Sequence, residues 1–172
     1  MSLLASSLLS GILLIVVYQD FRYRALSVYV LAMALLLAVF YAVLINGWKQ
    51  AMVFAGINGL LIALQLAGVW GYFSLKRRSF MSIVNTCIGS GDLLFYAVLA
   101  LLFSPVNFIV FNLLGYIIIL VVFAVLKLMA GYNNTIPLAG SLALLFCPMV
   151  FIDRFVPGFN MYNDYFLMNV LF

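Results

Sequence analysis

Residues 107–126 read NFIVFNLLGYIIILVVFAVL, a run without a single charged side chain. A helix needs about 20 apolar residues to cross the hydrocarbon core of a bilayer. Because the run does not alternate apolar and polar residues as a barrel strand does, it predicts a membrane-spanning helix. It lies at the end of a longer apolar run, residues 79–126, in which the single charged side chain is Asp92.

The composition extends this interpretation to the whole chain. The 172 residues are 69% hydrophobic and 7% charged, whereas an ordinary soluble domain has about 25% charged residues. We therefore expect an integral membrane protein whose surroundings are membrane lipid. The net charge of +4 is expected to set orientation in the membrane, not to bind nucleic acid. The oligomeric state remains open.

Metal and cofactor chemistry is not predicted. The chain has no histidine, and Cys87 and Cys147 lie apart in separate apolar segments. Without a CxxC pair, neither a zinc site nor a disulfide framework is expected. Glycine-rich loops that bind nucleotides are also lacking, because GSGD follows no strand. The N-terminal segment has no Lys or Arg before its apolar run, which predicts a first span and not a cleaved signal peptide.

The predicted fold is an all-α integral membrane bundle of six transmembrane helices. Residues 1–152 would form this domain, and residues 153–172 an outward-facing interfacial tail in which Asp153 and Asp164 are solvated. Span four is expected to be broken at its GSGD segment, because a helix beginning only at Asp92 would be too short to cross the bilayer. The six apolar runs are residues 3–19, 27–45, 51–73, 80–103, 107–126 and 136–152.

The basic residues predict the orientation. Six of them fall in the segments after spans one, three and five, and two fall on the opposite face. Since cytoplasmic segments are enriched in Lys and Arg, we expect both termini to face outward in a cell membrane. Asp20, at the end of span one, and Asp92, in span four, are then both approached from the cytoplasm. The cytoplasmic set is Arg22, Arg24, Lys76, Arg77, Arg78 and Lys127, and the opposite set is Lys49 and Arg154.

Asp92 follows Gly89, Ser90 and Gly91 within an apolar segment. A charge at the bilayer centre costs about 2.5–3.5 kcal/mol or more, so it usually marks a functional site. The glycines are expected to permit a backbone shape that a helix interior resists, and so to shape the loop that presents Asp92. A purely structural role is the alternative: Asp92 as the N-cap of the helix that follows, and Asp20 as a boundary residue.

Two aspartates without histidine predict the chemistry of an aspartic protease. Two neighbouring carboxylates share one proton. The ionised one can take a proton from an attacking water, while the protonated one donates to the peptide carbonyl. We therefore expect Asp20 and Asp92 to be the catalytic pair.

These residues resemble the type IV prepilin peptidase family, membrane aspartic proteases with a GxGD motif. Gly89-Ser90-Gly91-Asp92 matches that motif, and Asp20-Phe21-Arg22-Tyr23-Arg24 resembles the family's first aspartate site. The segment Thr135-Ile136-Pro137-Leu138-Ala139-Gly140 is similar to the family's later Ile-Pro segment. The resemblance implies cleavage of a pilin-like precursor, with a short basic leader and an apolar helix, at the cytoplasmic membrane border.

The chain departs from the family pattern at two places. It has Leu26-Ser27-Val28 where members often have Ile-Pro-Asn, and Leu93-Leu94 where they often have Val-Lys. It also lacks a cytoplasmic insertion with paired CxxC motifs, so the resemblance implies cleavage without the long form's methyltransferase activity. These departures leave open an inactive relative that acts as a scaffold in a pilus or secretion assembly.

A third hypothesis is a small proton-coupled transporter in which the aspartates form a proton relay. Few polar residues are available to line it: Asn58, Gln65, Asn85 and Asn112. In span three, small residues recur every fourth position and predict close helix packing, mainly within the chain. They are Ala55, Gly59, Ala63, Ala67 and Gly71.

Overall fold

The structure is a computed structural model that describes residues 2–77, 89–130, 136–155 and 160–164. Five α-helices account for most of these residues, and no strand occurs among them. The helices are α1 (Ser2–Tyr23), α2 (Val28–Arg77), α3 (Ser90–Leu102), α4 (Pro105–Ala130) and α5 (Leu138–Phe155).

Three helices are long and apolar enough to cross a membrane: Leu3–Tyr23, Val28–Lys76 and Pro105–Met129. Two others, Ser90–Leu102 and Leu138–Asp153, are apolar but shorter. The expectation of an all-helical membrane protein is therefore confirmed for the described part of the chain. The count of six spans stays a prediction, and so does the break in span four, because residues 78–88 lie outside the described residues.

Helix α2 is interrupted at Gly47, which has φ 75° and ψ 162°. This left-handed backbone favours glycine, because a side chain there would be strained. The first arm of α2, residues 28–46, and its second arm, residues 48–77, fold back on each other. One cavity is lined by Leu35 from the first arm and by Ala55 and Gly59 from the second, positions about 30 Å apart along a continuous helix. The chain thus reverses direction at Gly47, between the apolar runs 27–45 and 51–73.

The core is formed where α1 meets α5 and α2, and where α2 packs against α3. On α1, Leu9, Leu13 and Val16 share one face and are fully buried, as expected for residues three and four positions apart. Three phenylalanines from α3's C-terminal end, α4 and α5 join these helices. Phe103 lies 4.9 Å from Phe111 and 5.1 Å from Phe146, measured between ring centroids.

The C-terminal end of α3 is held by Asn58 of the second arm of α2. Asn58 is fully buried, and its side-chain amide donates to the carbonyls of Ala100 at 2.9 Å and Phe103 at 2.8 Å. The last carbonyls of a helix lack partners within that helix, so this amide supplies donors that the apolar surroundings cannot.

We expect Asn58→Leu to lower the free energy of unfolding by about 1–2 kcal/mol, the range of hydrogen bonds between membrane helices in model peptides. Asn46→Leu is the matched control, because the side-chain nitrogen of Asn46 is buried without a hydrogen-bond partner. It should change stability by less than about 0.5 kcal/mol. Thermal unfolding in detergent, followed by circular dichroism, measures both. Equal losses in the two variants would contradict the capping role.

Met161 and Tyr162 pack into the helical core, which the sequence did not predict for part of an interfacial tail. Met161 is fully buried and Tyr162 is 4% exposed. The Met161 carbonyl accepts from the backbone N–H of Ser104 at 3.0 Å, and Asp153 accepts from the Met161 N–H at 2.7 Å. Asp164 accepts a hydrogen bond from the Ser104 hydroxyl. Both aspartates are half-buried and therefore have structural partners in addition to their contact with the surroundings.

The sequence predicted that the small-residue stripe of α2 packs against other helices of the chain, but its middle part does not. Gly59, Ala63 and Ala67 are exposed, and a Cβ added at Gly59 or Gly71 would meet no atom within 4 Å. The described helices therefore leave the middle of the stripe exposed, whereas Ala55 and Gly71 at its ends are half-buried.

Candidate active site

The site is built at the N-terminus of α5. Pro137 precedes this helix, and its carbonyl accepts the first helical hydrogen bond, from the Ser141 N–H at 3.0 Å. In that N-cap position a side-chain oxygen usually accepts from the second or third helical N–H. Proline has no such oxygen, so the N–H groups of Ala139 and Gly140 need acceptors from elsewhere in the chain.

Asp92 and Asp20 provide these acceptors. Asp92 Oδ1 accepts from the Ala139 N–H at 3.0 Å, and Asp20 Oδ2 accepts from the Gly140 N–H at 2.5 Å. Consecutive Cα atoms are about 3.8 Å apart, so neighbouring donors hold the two carboxylates side by side. The structure thus brings together the two aspartates that the sequence singled out. The partial positive charge of a helix N-terminus favours carboxylates there.

Asp20 lies in the last turn of α1 and is 7% exposed. A carboxylate at a helix C-terminus is unfavourable for that helix. Asp20 therefore does not stabilise α1, and its favourable contact is with α5. The chain reverses just beyond it. Arg24 has φ 54° and its N–H donates to the Asp20 carbonyl at 3.1 Å, which ends α1. The Arg24 charge also acts favourably on the Asp20 carboxylate.

Asp92 is the third residue of α3, not its N-cap. The N-cap is Gly89, with φ −66° and ψ 144°. An acidic residue at the third position commonly reaches back to the N-cap N–H, and the Gly89 backbone amide acts favourably on the Asp92 carboxylate. Asp92 therefore lies near two helix N-termini, its own and that of α5. Ser90 is exposed at the start of α3.

The glycines of the site are required for space. Gly89 has an extended, non-helical backbone, as a break in a helix requires, whereas Gly91 is helical. A Cβ at Gly91 would come within 3.2 Å of the Leu26 Cβ, and one at Gly89 within 3.1 Å of Asp92 Oδ2. At Gly140 it would lie 2.8 Å from the Asp20 Cβ. Glycine therefore allows α5 to approach α1 at Gly140, and α3 to approach the segment between α1 and α2 at Gly91.

The site includes features that the sequence did not assign to it. The Ala139 and Gly140 amides are its hydrogen-bond donors, and backbone groups carry no signature of residue type. One indirect indication of these donors was present in the sequence. Pro137 stands at the start of a helix and has no side-chain acceptor, and Gly140 follows it. Arg22 is exposed near the site. Thr135, Arg78 and Cys87 lie outside the described residues.

A cavity of about 670 Å³, which we call the tyrosine cavity, has the first residue of α5, Leu138, in its wall. It is bounded by the second arm of α2, by α3, by α4 and by Leu138, the residue before Ala139. Its walls are mainly aliphatic, and the hydroxyls of Tyr96 and Tyr116 hydrogen-bond to each other within it. Its lining residues include Gln65, Gly68, Tyr96, Asn112, Tyr116 and Leu138.

The arrangement is suited to proton transfer and water activation. A carboxylate has about four acceptor positions, so the amide bonds made by Asp20 and Asp92 leave capacity for a water or a substrate. Among the residues that the structure describes, no group of three or more potential metal ligands occurs. The Asn58 and Asn112 amides donate to backbone carbonyls, which leaves them poorly suited to a proton relay.

Comparison of the chain with protein-family models, with curated proteins and with solved structures gave no match in any of the three.

Proposed function

We propose that this protein is a membrane-embedded aspartic endopeptidase that resembles the prepilin peptidases. The observation that carries the proposal is the pairing of Asp20 and Asp92 on the consecutive amides of Ala139 and Gly140. Two of the chain's four acidic residues, from different helices, meet in apolar surroundings. Such carboxylate pairs are the catalytic groups of aspartic proteases.

The reaction follows from the chemistry of a carboxylate pair with one shared proton. The ionised carboxylate removes a proton from a water, whose oxygen bonds to the carbonyl carbon of the substrate, while the other carboxylic acid protonates the carbonyl oxygen. The resulting diol collapses: the C–N bond breaks, the amine nitrogen takes a proton from one carboxyl group and the diol returns one to the other. The pair titrates as a unit, so no fixed assignment of acid and base is needed.

The proposed substrate is a pilin-like precursor with a short basic leader and an apolar helix. In this proposal, six spans place both termini outside, and cleavage occurs at the cytoplasmic face of the cell membrane. The distribution of basic residues described above supports this orientation.

The test is to incubate the full chain, in lipid nanodiscs, with a synthetic peptide that has a Lys-rich leader and an apolar segment. We expect a cut at the border between leader and apolar segment, detected by mass spectrometry, with one ¹⁸O from labelled water in the new carboxylate. A peptide with serines in place of the apolar residues is the control and should remain intact. Failure to cut any leader-bearing precursor would refute the proposal.

A scaffold in a pilus or secretion assembly is the second candidate. It is favoured by the same hydrogen bonds, because carboxylates that only cap α5 would occupy these positions too. It predicts that the protein assembles with its partners equally well when Asp20 and Asp92 are both replaced by Asn, which preserves an acceptor oxygen. Loss of cleavage with assembly retained would instead favour the peptidase.

A further inference from the structure

We propose that residues 160–163, which we call the strap, position Asp92 for catalysis from the opposite ends of α3 and α5. The strap is bonded to α5 and to the junction of α3 and α4, and in this way it fixes the angle between α3 and α5. Asp153, Ser104 and Asn107, which bind the strap, are then positioning residues. The link to catalysis rests on the proposed function, whereas the effect on the position of Asp92 does not.

The aspartate site lies between two pairs of packed helices. Helix α1 packs on α5, and α2 packs on α3. Asp20 and the two bonded amides of α5 belong to the first pair, whereas Asp92 belongs to the second. Helix α1 also packs on α2, and the direct contact between α3 and α5 is much smaller. Because α3 is joined to α5 mainly through two intermediate helices, small movements at each interface add up at Asp92.

Hydrogen bonds tie α3 to α5 at the two ends of these helices. At one end, Asp92 accepts from the Ala139 N–H at 3.0 Å. At the other end, one strap residue bridges them. The Met161 N–H donates to Asp153 of α5 at 2.7 Å, and the Met161 carbonyl accepts from the N–H of Ser104, two residues beyond α3, at 3.0 Å. The two ties are about 18 Å apart along α3 and about 21 Å apart along α5, so helices and ties form a closed frame.

The strap can act as a bridge because its own shape is fixed. The Asn160 side chain accepts from the Tyr162 N–H at 2.8 Å, and the Asn160 carbonyl accepts from the Asn163 N–H at 3.1 Å, which makes a turn stabilised by asparagine. The Asn107 side-chain amide donates to the Met161 carbonyl at 3.0 Å. The carbonyl oxygens of Asn160 and Asn163 lie 3.3 Å from the same nitrogen. Asn107 is 9% exposed and Met161 is fully buried, so the turn is held within the protein.

Without the strap, α3 is free to tilt about its remaining contact with α5. The Phe103 and Phe146 rings, with centroids 5.1 Å apart, provide a pivot near the strap end of α3. Over the roughly 17 Å from Phe103 to Asp92, a tilt of about 3° displaces the aspartate by about 1 Å. Such a displacement lengthens the bond from the Ala139 N–H beyond the usual limit of about 3.2 Å. Asp20 is not affected, because α1 stays packed on α5.

Amide hydrogen exchange of the full chain in nanodiscs, followed by NMR, tests this positioning directly. Asp153→Leu cuts the tie between the strap and α5. We expect the Ala139 amide, which Asp92 holds, to exchange about tenfold faster than in wild type, the effect of a lost helix cap. The Gly140 amide, which Asp20 of α1 holds, should change by less than about twofold. A general loss of stability would speed both amides alike, so their ratio isolates the tilt of α3.

Asp153→Asn is the matched control. It keeps an oxygen that can accept from the Met161 N–H, so exchange at Ala139 should stay at the wild-type rate. Asn107→Leu cuts the strap from α4 instead and should give the same selective loss of protection at Ala139. Agreement between two variants on different helices excludes a folding defect peculiar to one of them.

Cleavage supplies the functional readout. In Asp153→Leu, kcat should fall about tenfold or more, because a catalytic group is displaced. KM should change by less than about twofold, since position 153 is about 21 Å along α5 from the site. The inference is overturned if Asp153→Leu and Asn107→Leu speed exchange at Ala139 and Gly140 equally, or at neither. Selective exchange at Ala139 with unchanged kcat would overturn its catalytic part. If wild type cuts no precursor yet Ala139 alone loses protection, the proposed function fails and the strap still positions Asp92.

Discussion

Asp20→Asn and Asp92→Asn should each lower the rate of precursor cleavage by about 10²–10⁴-fold, the range that general acid–base groups contribute. Asparagine keeps an oxygen that can accept the hydrogen bonds from the Gly140 and Ala139 amides, so the packing around α5 should persist. It cannot hold or transfer the proton that the reaction needs. The double variant should be hardly slower than either single variant, because the two groups act as a unit.

The measurement is the initial rate of cleavage in nanodiscs, together with thermal unfolding of each variant. Asp164→Asn is the matched control. Its carboxylate accepts from the Ser104 hydroxyl and has no part in the proposed chemistry. Asparagine retains that acceptor, so activity should stay within about twofold of wild type. Full activity in either Asp20→Asn or Asp92→Asn would eliminate the pair as the catalytic groups.

Alanine separates the chemical role of the aspartates from their structural role. Asp20→Ala leaves the Gly140 N–H without its acceptor in a buried position. We expect it to lower the free energy of unfolding by about 0.5–2 kcal/mol, as for other lost helix caps, whereas Asp20→Asn should cost less. A scaffold would be sensitive only to the alanine change. A peptidase would lose activity with both.

The sequence was sufficient to predict a helical membrane protein, because uncharged runs such as residues 107–126 can adopt few other structures in lipid. It also singled out Asp20 and Asp92, because a carboxylate in an apolar run is costly. That these two meet was an inference from predicted topology. The donors that hold them are backbone amides of α5, which no residue type marks, and Pro137 was their single indirect sign.

Other expectations failed for physical reasons that residue type does not reveal. Gly89 and Gly91 suggested a backbone that a helix interior resists; Gly89 is extended, yet Gly91 is helical and is used for close approach to Leu26. A glycine pattern alone cannot distinguish these two uses. Met161 and Tyr162 lie among polar tail residues, yet they are buried, because Ser104 and Asp153 bond the Met161 backbone. Contacts between residues so distant in sequence leave no local pattern.

Gly140→Ala should reduce cleavage by about 10–100-fold, because a displacement of about 1 Å in a catalytic site can cost 10²-fold. The added Cβ would lie 2.8 Å from the Asp20 Cβ and 3.1 Å from Phe21 Cδ2. The Asp20 Cβ is attached to the backbone of α1 and cannot rotate away, so α1 and α5 must separate. That separation lengthens the hydrogen bond from the Gly140 N–H to Asp20 and shifts one carboxylate relative to the other.

Gly140→Ala should lower the free energy of unfolding, although alanine has the higher helix propensity. Alanine in a helix is normally better than glycine by about 0.5–1 kcal/mol, whereas overpacking costs about 1–3 kcal/mol, so a net loss is expected at position 140. Gly56→Ala is the matched control, since a Cβ there would meet nothing within 4 Å, and it should be neutral or stabilising with full activity. Thermal unfolding and cleavage rates measured on both variants decide the matter. A Gly140→Ala protein as active and as stable as Gly56→Ala would mean that α1 and α5 do not approach as closely as this site requires.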